Sequence, residues 1–469
     1  MRLFDRLEHH SQSVALLDES GRTTNYGELI ERGDYVGSAA AQRSLVLVAC
    51  SNTVEAVTGY VGLVRAGHVC ILVSSSISRE RLNDLVNRFQ PNYIYARHST
   101  LADTHREVVA TNGDHVLTRL TAVEAPMFSE LALLLSTSGS TGSPLMVRQS
   151  HANILSNADG IVKSLGLGVS DRAITTLPMH YTYGLSIIHS QLHAGGSLVM
   201  SETSMTHRDF WSVINTTKPS YFGGVPYSYQ ILNRIGVERF RGKGLRMLTQ
   251  AGGRLDPELA LKLHGELKEL NIDFHIMYGQ TEATARMSIL HSKELPLRPD
   301  SIGKPISGGM FQILDLDSGA PLAAGEVGEL QYFGPNVALG YAESRNELDR
   351  GDDWHGVLRT GDLARCDADG YFYVAGRLKR YVKLFGNRIS LDHVESHLNS
   401  LGIIAACGSS DDKLKVYVEG MVDSAKVLRE VSTFVGVHVS GIGIHQIDRL
   451  PRSESGKIEY SNLEKLAAL

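Results

Sequence analysis

"LALLLSTSGSTGSPLMVRQSH", residues 131–151, is the stretch on which the reading of this chain turns. A short apolar run gives way to a loop of small hydroxylated residues and glycines, followed by a polar segment that could open a helix. Gly139 and Gly142 reach backbone conformations closed to other residues. Ser138, Ser140, Thr141 and Ser143 add hydroxyls to consecutive N–H groups able to form an anion nest. Loops of this composition wrap phosphates, but they usually also carry a cation, and here Leu145 follows Pro144. The loop is not a Walker A motif, which needs GxxxxGK[ST]. The "SGKI" at 455–458 fails the same pattern, and no GxGxxG follows a strand. Taken alone, the stretch reads equally as a flexible connection or as a phosphate site.

The bulk properties narrow the field. At 469 residues the chain exceeds the roughly 250–300 residues at which single cores stop growing, so two or more domains are expected. A net charge of −5 with both signs interspersed predicts no nucleic-acid partner and no anionic-lipid surface. No apolar run approaches the roughly 20 residues of a membrane helix, so no membrane insertion is expected. "MRLFDRLEHH" lacks the apolar centre of a signal peptide, and Cys50, Cys70, Cys366 and Cys407 are scattered without CxxC. Both features predict a cytoplasmic location with reduced thiols. The 19 histidines form no HExxH or other metal spacing and read as surface and core residues.

Outward from the opening stretch, short runs rich in Val, Ile and Leu alternate with segments of helical period. "SLVLVAC" (44–50), "LALLL" (131–135), "AITTL" (173–177), "SLVM" (197–200) and "DFHIMYG" (273–279) predict buried strands of an α/β fold. Asp256 as cap, Pro257 at the first helical position and Leu259, Leu263, Leu267 and Leu270 on one stripe mark a helix. From about 305, Gly-punctuated short strands predict a β-rich subdomain running to about 376. A boundary near 376–386 leaves residues 377–469 as a small α+β domain. Its expected elements are helices at about 390–400 and 424–435 and strands near 402–407, 414–418 and 437–446.

Three further loops could carry chemistry. "MYGQTEATARMS" (277–288) follows a strand and offers Tyr278 as a stacking face, Thr281 as a hydroxyl and Glu282 as a hard oxygen ligand. "RTGDLARCDADGYFYVAGR" (359–377) offers Asp362 to accept from a diol and Arg377 to donate to oxygen. "LPRSESGKIEY" (450–460) sets Lys457 on a Gly-hinged loop. Each alone also reads as a packed tyrosine, a surface charge pair or a solvated lysine.

Together, in this order, they resemble the superfamily of adenylate-forming enzymes: acyl-CoA synthetases, luciferase and the adenylation domains of peptide synthetases. The resemblance covers nearly the whole chain, and "LPMHYTYGLS" (177–186), "GGVPYSY" (223–229), "QAGGRL" (250–255), "GEVGEL" (325–330) and "GRLKRYVKLFGNRI" (376–389) extend it. It implies a large N-terminal domain of stacked α/β sheets with the β-rich subdomain (1–376), then a small mobile α+β lid (377–469). It also implies activation of a carboxylic acid by ATP and Mg²⁺ to acyl-AMP, with pyrophosphate released. The acyl group then passes to coenzyme A or to the phosphopantetheine of an acyl carrier protein.

By position, the resemblance assigns Tyr278 and Gly279 to adenine, flanked by Gly252 and Gly253, and Asp362 with Arg377 to the ribose. Thr281 is assigned to the α-phosphate, Glu282 to Mg²⁺, and Thr137, Ser138, Gly139, Ser140, Thr141 and Gly142 to the loop over the outer phosphates. Lys457 would bridge carboxylate and α-phosphate as a point cation. Lys379 stands where the small domain turns, and Gly386 in the loop nearest the thiol donor. The acyl pocket would be lined by His180, Tyr181, Tyr183, Gly184, Gly223, Gly224, Val225 and residues after Glu282. Amino-acid-activating members carry Asp in the segment matching 180–186; its absence here disfavours an α-amino acid, and Thr182 where 2-hydroxybenzoate members tend to have Asn weakens that option too. The departure is Leu145, where the family loop has Lys. One charge-assisted hydrogen bond lost costs roughly 1.5–3 kcal/mol, about ten- to a hundredfold. Arg148, three residues on, is a candidate replacement. Two readings stay open: an active ligase with a weakened or rewired loop, or a nucleotide- or acyl-binding protein without catalysis.

Overall fold

The computed structural model describes all residues except 1–2, 102–106, 121–123, 137–144, 379, 386, 411–412, 453–457, 461 and 464–469. It is an α/β structure: a large N-terminal domain of mixed sheets followed by a small α+β domain. The apolar runs form the strands expected of them. Leu45–Cys50 is buried at all six positions and lies parallel to both Val69–Ser74 and Tyr93–Arg97. Leu131–Ser136 continues this eight-stranded sheet, parallel to Val69–Ser74 and antiparallel to Met146–Ser150. The polar segment after the opening loop is therefore a strand first. The helix, His151–Leu165, begins only after Ser150, whose side chain caps it.

A second sheet has nine strands, parallel in its middle and antiparallel at both ends. Its register sets Gly224 beside Gln250 and Gln250 beside Ile276. The segments leaving the carboxyl ends of Tyr221–Gly224, Met247–Gln250 and Asp273–Tyr278 thus emerge side by side, where open parallel sheets bind ligands. Helices Val54–Arg65, His151–Leu165 and Thr182–His193 lie in the apolar core that joins the facing sides of the two sheets. The marked helix is Pro257–Glu269: Asp256 accepts from the Leu259 N–H at 3.0 Å, and Leu263 and Leu267 are fully buried.

The Gly-punctuated region contributes to three sheets. Met310–Leu314, Gly328–Phe333, Val357–Cys366 and Phe372–Arg377 form a four-stranded antiparallel sheet of their own. Lys304–Pro305 instead edges the nine-stranded sheet, and Gly340–Ala342 edges the eight-stranded one beside Met146–Ser150. Beyond it come a hairpin (Tyr381–Leu384, Asn387–Ser390), helices Leu391–Ser400 and Ser424–Val435, and a sheet of Ala405–Ser410, Lys413–Glu419 and Ile442–Ile447. These share a separate core around Val394, Leu398, Val416 and Val431. The hairpin is not expected from the sequence; the two helices and first two strands lie within three residues of expectation. The last strand begins at Ile442, not near 437, because Val439–Gly441 forms a 3₁₀ turn.

Candidate active site

The site grows from the carboxyl end of Asp273–Tyr278. At Gly279 the returning chain is so close that a Cβ would lie 1.6 Å from the Ala285 carbonyl oxygen, so only glycine fits. Thr281–Ala283 makes a single 3₁₀ turn, Thr284 takes a left-handed conformation (φ 62°), and Ser288–Leu290 returns antiparallel. Asn336 holds the turn, donating to the Ala283 carbonyl at 2.8 Å while its own carbonyl accepts from the Thr284 hydroxyl at 2.6 Å.

One end of this loop meets the four-stranded sheet. Register makes Asp362 and Arg377 cross-strand partners, with Arg377 Nε donating to Asp362 Oδ1 at 2.9 Å. Tyr278 Oη donates to Asp362 Oδ2 at 2.5 Å, and Gln280 Nε2 donates to the same oxygen at 2.9 Å. The carboxylate is buried while Arg377 is exposed. Burial, and next the Asp362 charge, push the Tyr278 phenol well above its ordinary range, so it stays a donor. Asp362 raises Arg377 in turn. Asp362 and Arg377 are thus brought together as expected, with two additions. Tyr278 is anchored through its hydroxyl, and Gln280, between the glycine and threonine of "MYGQTE", shares the carboxylate. The motif pattern gave no signal for Gln280.

Four residues on from Tyr278, Glu282 Oε1 accepts from Tyr341 Oη at 2.8 Å. The Thr281 and Thr182 hydroxyls share a hydrogen bond at 2.9 Å, and Gln149 donates to the Thr281 carbonyl at 3.0 Å. No group of three or more His, Cys, Asp or Glu that could hold a metal exists among the described residues. A cation at Glu282 would take one protein carboxylate and draw its other ligands from phosphate and water, which is how Mg²⁺ is commonly held.

The segments expected to line the acyl pocket also converge. A Cβ on Gly252 (φ +84°) would lie 2.3 Å from Tyr181 Oη, which accounts for glycine there. A Cβ on Gly223 would lie 3.2 Å from Tyr183 Oη, and one on Gly184 would lie 2.4 Å from the Pro178 carbonyl. Gly253 packs near Pro226, Gly224 near Ser228, Val225 is buried, and His180 is half-buried in the turn before the 182–193 helix. The rings of Tyr181 and Tyr183 meet edge-on at 6.5 Å. Tyr183, expected in the pocket lining, has its hydroxyl committed within the protein. It bonds Thr249 Oγ1 at 2.7 Å and the Thr249 carbonyl at 2.8 Å, on a buried threonine that also binds Tyr221 and Tyr229. Arg286, inside the quoted motif but passed over as a site residue, lies under the Tyr183 ring.

Leu145 is half-buried at the edge of an open cleft of about 400 Å³, shared with Tyr341, Glu343, Glu347, Arg350 and Asp353. Arg148 does not replace the missing cation. It is fully buried, and each of its five N–H groups has an acceptor: the carbonyls of Tyr341, Leu339, Arg350 and Gly351 and the Asp353 carboxylate, at 2.5–3.1 Å. Thr137, Ser138, Gly139, Ser140, Thr141, Gly142, Lys379, Gly386 and Lys457 lie outside the described residues.

A family model described as "AMP-binding enzyme" matches residues 3–342. Oxalate–CoA ligase of Saccharomyces cerevisiae is 27% identical over 410 residues, 83% of this chain and 72% of that protein. Sulfoacetate–CoA ligase of Cupriavidus necator is 29% identical over 355 residues, 71% of this chain and 66% of that protein. Among solved structures, o-succinylbenzoate CoA synthetase from Bacillus subtilis, in complex with its acyl-adenylate intermediate, superposes with a TM-score of 0.79 at 22% identity. That match covers 99% of this chain and 98% of the other.

Proposed function

This chain belongs to the AMP-binding enzyme family, and from that premise we propose that it activates a carboxylic acid, other than an α-amino acid, with ATP and passes it to a thiol. The carboxylate oxygen attacks the α-phosphorus, the bond to the β-phosphate breaks, and pyrophosphate leaves with the bonding pair. The thiolate of coenzyme A or of a carrier's phosphopantetheine then attacks the acyl carbon and expels AMP. Tyr278 and the 251–253 backbone flank adenine, while Asp362 and Arg377 take the ribose hydroxyls. Thr281 contacts the α-phosphate, Glu282 would hold Mg²⁺, and the 137–142 loop covers the outer phosphates. Lys457 supplies positive charge where the carboxylate and phosphate oxygens gather. Lys379 is the pivot that brings Gly386 towards the thiol arm. Mg²⁺, when bound, screens the phosphate charge.

The observation that carries this reading is the single loop 278–282. It delivers Tyr278 to buried Asp362 at one end and Thr281 and Glu282 to Thr182 and Tyr341 at the other. The test is an ATP–pyrophosphate exchange screen over a panel of carboxylic acids, in which at least one acid is expected to drive exchange. Lys457→Ala should then cut that exchange by several orders of magnitude; near-normal exchange would remove the role given to Lys457. A second reading, a nucleotide-binding member without catalysis, rests on Leu145 and on the full commitment of Arg148 to structure. ATP binding without exchange for any acid would favour it.

A further inference from the structure

Two arginines are the largest fully buried side chains among the described residues, and they differ in how their charge is met. Arg148 has five acceptors and a carboxylate. Arg286, 1% exposed, has none of the latter: no carboxylate forms an ion pair with it among the described residues. Its Nε donates to Ser186 Oγ at 3.1 Å, its Nη1 reaches only the weak acceptor Met277 Sδ at 3.4 Å, and its Cζ lies over the Tyr183 ring, 5.0 Å from the centroid. Nη2 is buried without a hydrogen-bond partner. A guanidinium does not give up its proton in a protein, so a charge kept this way calls for an anion from elsewhere.

The helix Thr182–His193 sets the distance. Thr182 touches Thr281, and Ser186, one turn further along the same face, touches Arg286. Four residues of helix rise about 6 Å. Arg286 therefore lies about that far beyond Thr281, among Tyr183 and the segment after Glu282 that would line the acyl pocket.

We propose that Arg286 is the counter-ion for a second acidic group on the substrate. The acid activated here is then a short α,ω-dicarboxylate, or its ω-sulfonate analogue, with roughly two to four carbons between the acidic groups. This rests on the reading above, in which the reacting carboxylate lies at Thr281. The fork of the guanidinium holds the distal group bidentate, Nη2 supplying the donor that has no acceptor in the protein. Monoacids and ω-esters leave that donor and the buried charge unmet.

The test pairs two measurements on the full chain, wild type, Arg286→Lys and Arg286→Met. One is ATP–pyrophosphate exchange with a length series of dicarboxylates, ω-sulfonates, their monomethyl esters and plain monoacids. The other is calorimetric binding of the same acids with a non-hydrolysable ATP analogue present. The best diacid should exceed its monomethyl ester about ten- to a hundredfold in the wild type. Arg286→Met should abolish that ratio, Arg286→Lys should keep part of it, and a sulfonate preference would name the second source. An ester or monoacid used as well as the diacid, with a ratio unmoved in Arg286→Met, overturns the proposal. Absent exchange with any acid is decided by the calorimetry. Arg286-dependent diacid binding then upholds the pocket and sinks the ligase reading, while equal binding of diacid and ester sinks the pocket. If Arg286→Met does not fold, the wild-type ratio and Arg286→Lys decide alone.

Discussion

Leu145, where the family resemblance implies a lysine, borders a cleft holding three carboxylates, Glu343, Glu347 and Asp353, and one cation, Arg350. Leu145→Lys should raise ATP affinity or the adenylation rate about ten- to a hundredfold if the loop still needs its cation. An unchanged or lower rate would mean the new ammonium is captured by those carboxylates and the loop is built around leucine. At Asp362, three donors converge on one buried carboxylate, so Asp362→Asn turns an acceptor into a donor facing Tyr278 or Arg377. The expected result is an ATP KM raised roughly tenfold or more with a smaller change in kcat, read from exchange kinetics. The sequence made Asp362 and Arg377 legible because motif spacing preserves chemistry. Gln280 was not legible, since its contact depends on two sheets meeting.

Among the elements, the strand Met146–Ser150 shows where sequence reading ran short. "MVRQS" reads as a polar segment that could open a helix, yet it is a strand with all five residues buried. The reason is Gly340–Ala342, which pairs with it from nearly 200 residues away and covers Arg148 with the 339–353 segment. Local pattern carries no trace of so distant a partner. Arg148→Met strands the Asp353 charge and four carbonyls, although Arg350 also bonds Asp353. A loss of about 3 kcal/mol or more is expected, seen as a lowered midpoint in denaturant without a matching change in the residual enzyme's substrate preference. By contrast, Leu45–Cys50 and Pro257–Glu269 were readable at once, because continuous burial and a capped leucine stripe leave local signatures.

For the whole molecule, buried neutral histidines tie stability to pH. Burial lowers His189 to about 3 and His275 to about 4 from an ordinary value of 6.5. His275 Nδ1 accepts from the Ser292 N–H at 3.1 Å and His189 Nε2 pairs with Tyr60 Oη at 2.8 Å, bonds suited to neutral rings. Since the folded values lie below the unfolded one, their stability is fully present above pH 6.5. It drains away as the pH falls from 6.5 towards 4 and then 3. Unfolding free energies at pH 7.5 and 5 should differ by a few kcal/mol, and His275→Gln should flatten that slope. A slope unchanged in that variant would assign acid sensitivity elsewhere. The two-part α/β plan was legible from alternating apolar runs. The strand order was not, because it is written in contacts between distant segments.

The clasp of Arg148 by the 339–353 segment also sets a rule for recombination between relatives. A crossover placed between residues 150 and 339 takes the guanidinium from one parent and its five oxygens from the other. Such a hybrid inherits a buried cation whose cradle was shaped for a different backbone. A crossover before residue 146 or after 353 keeps donor and cradle from one parent, and such hybrids are expected to fold more stably.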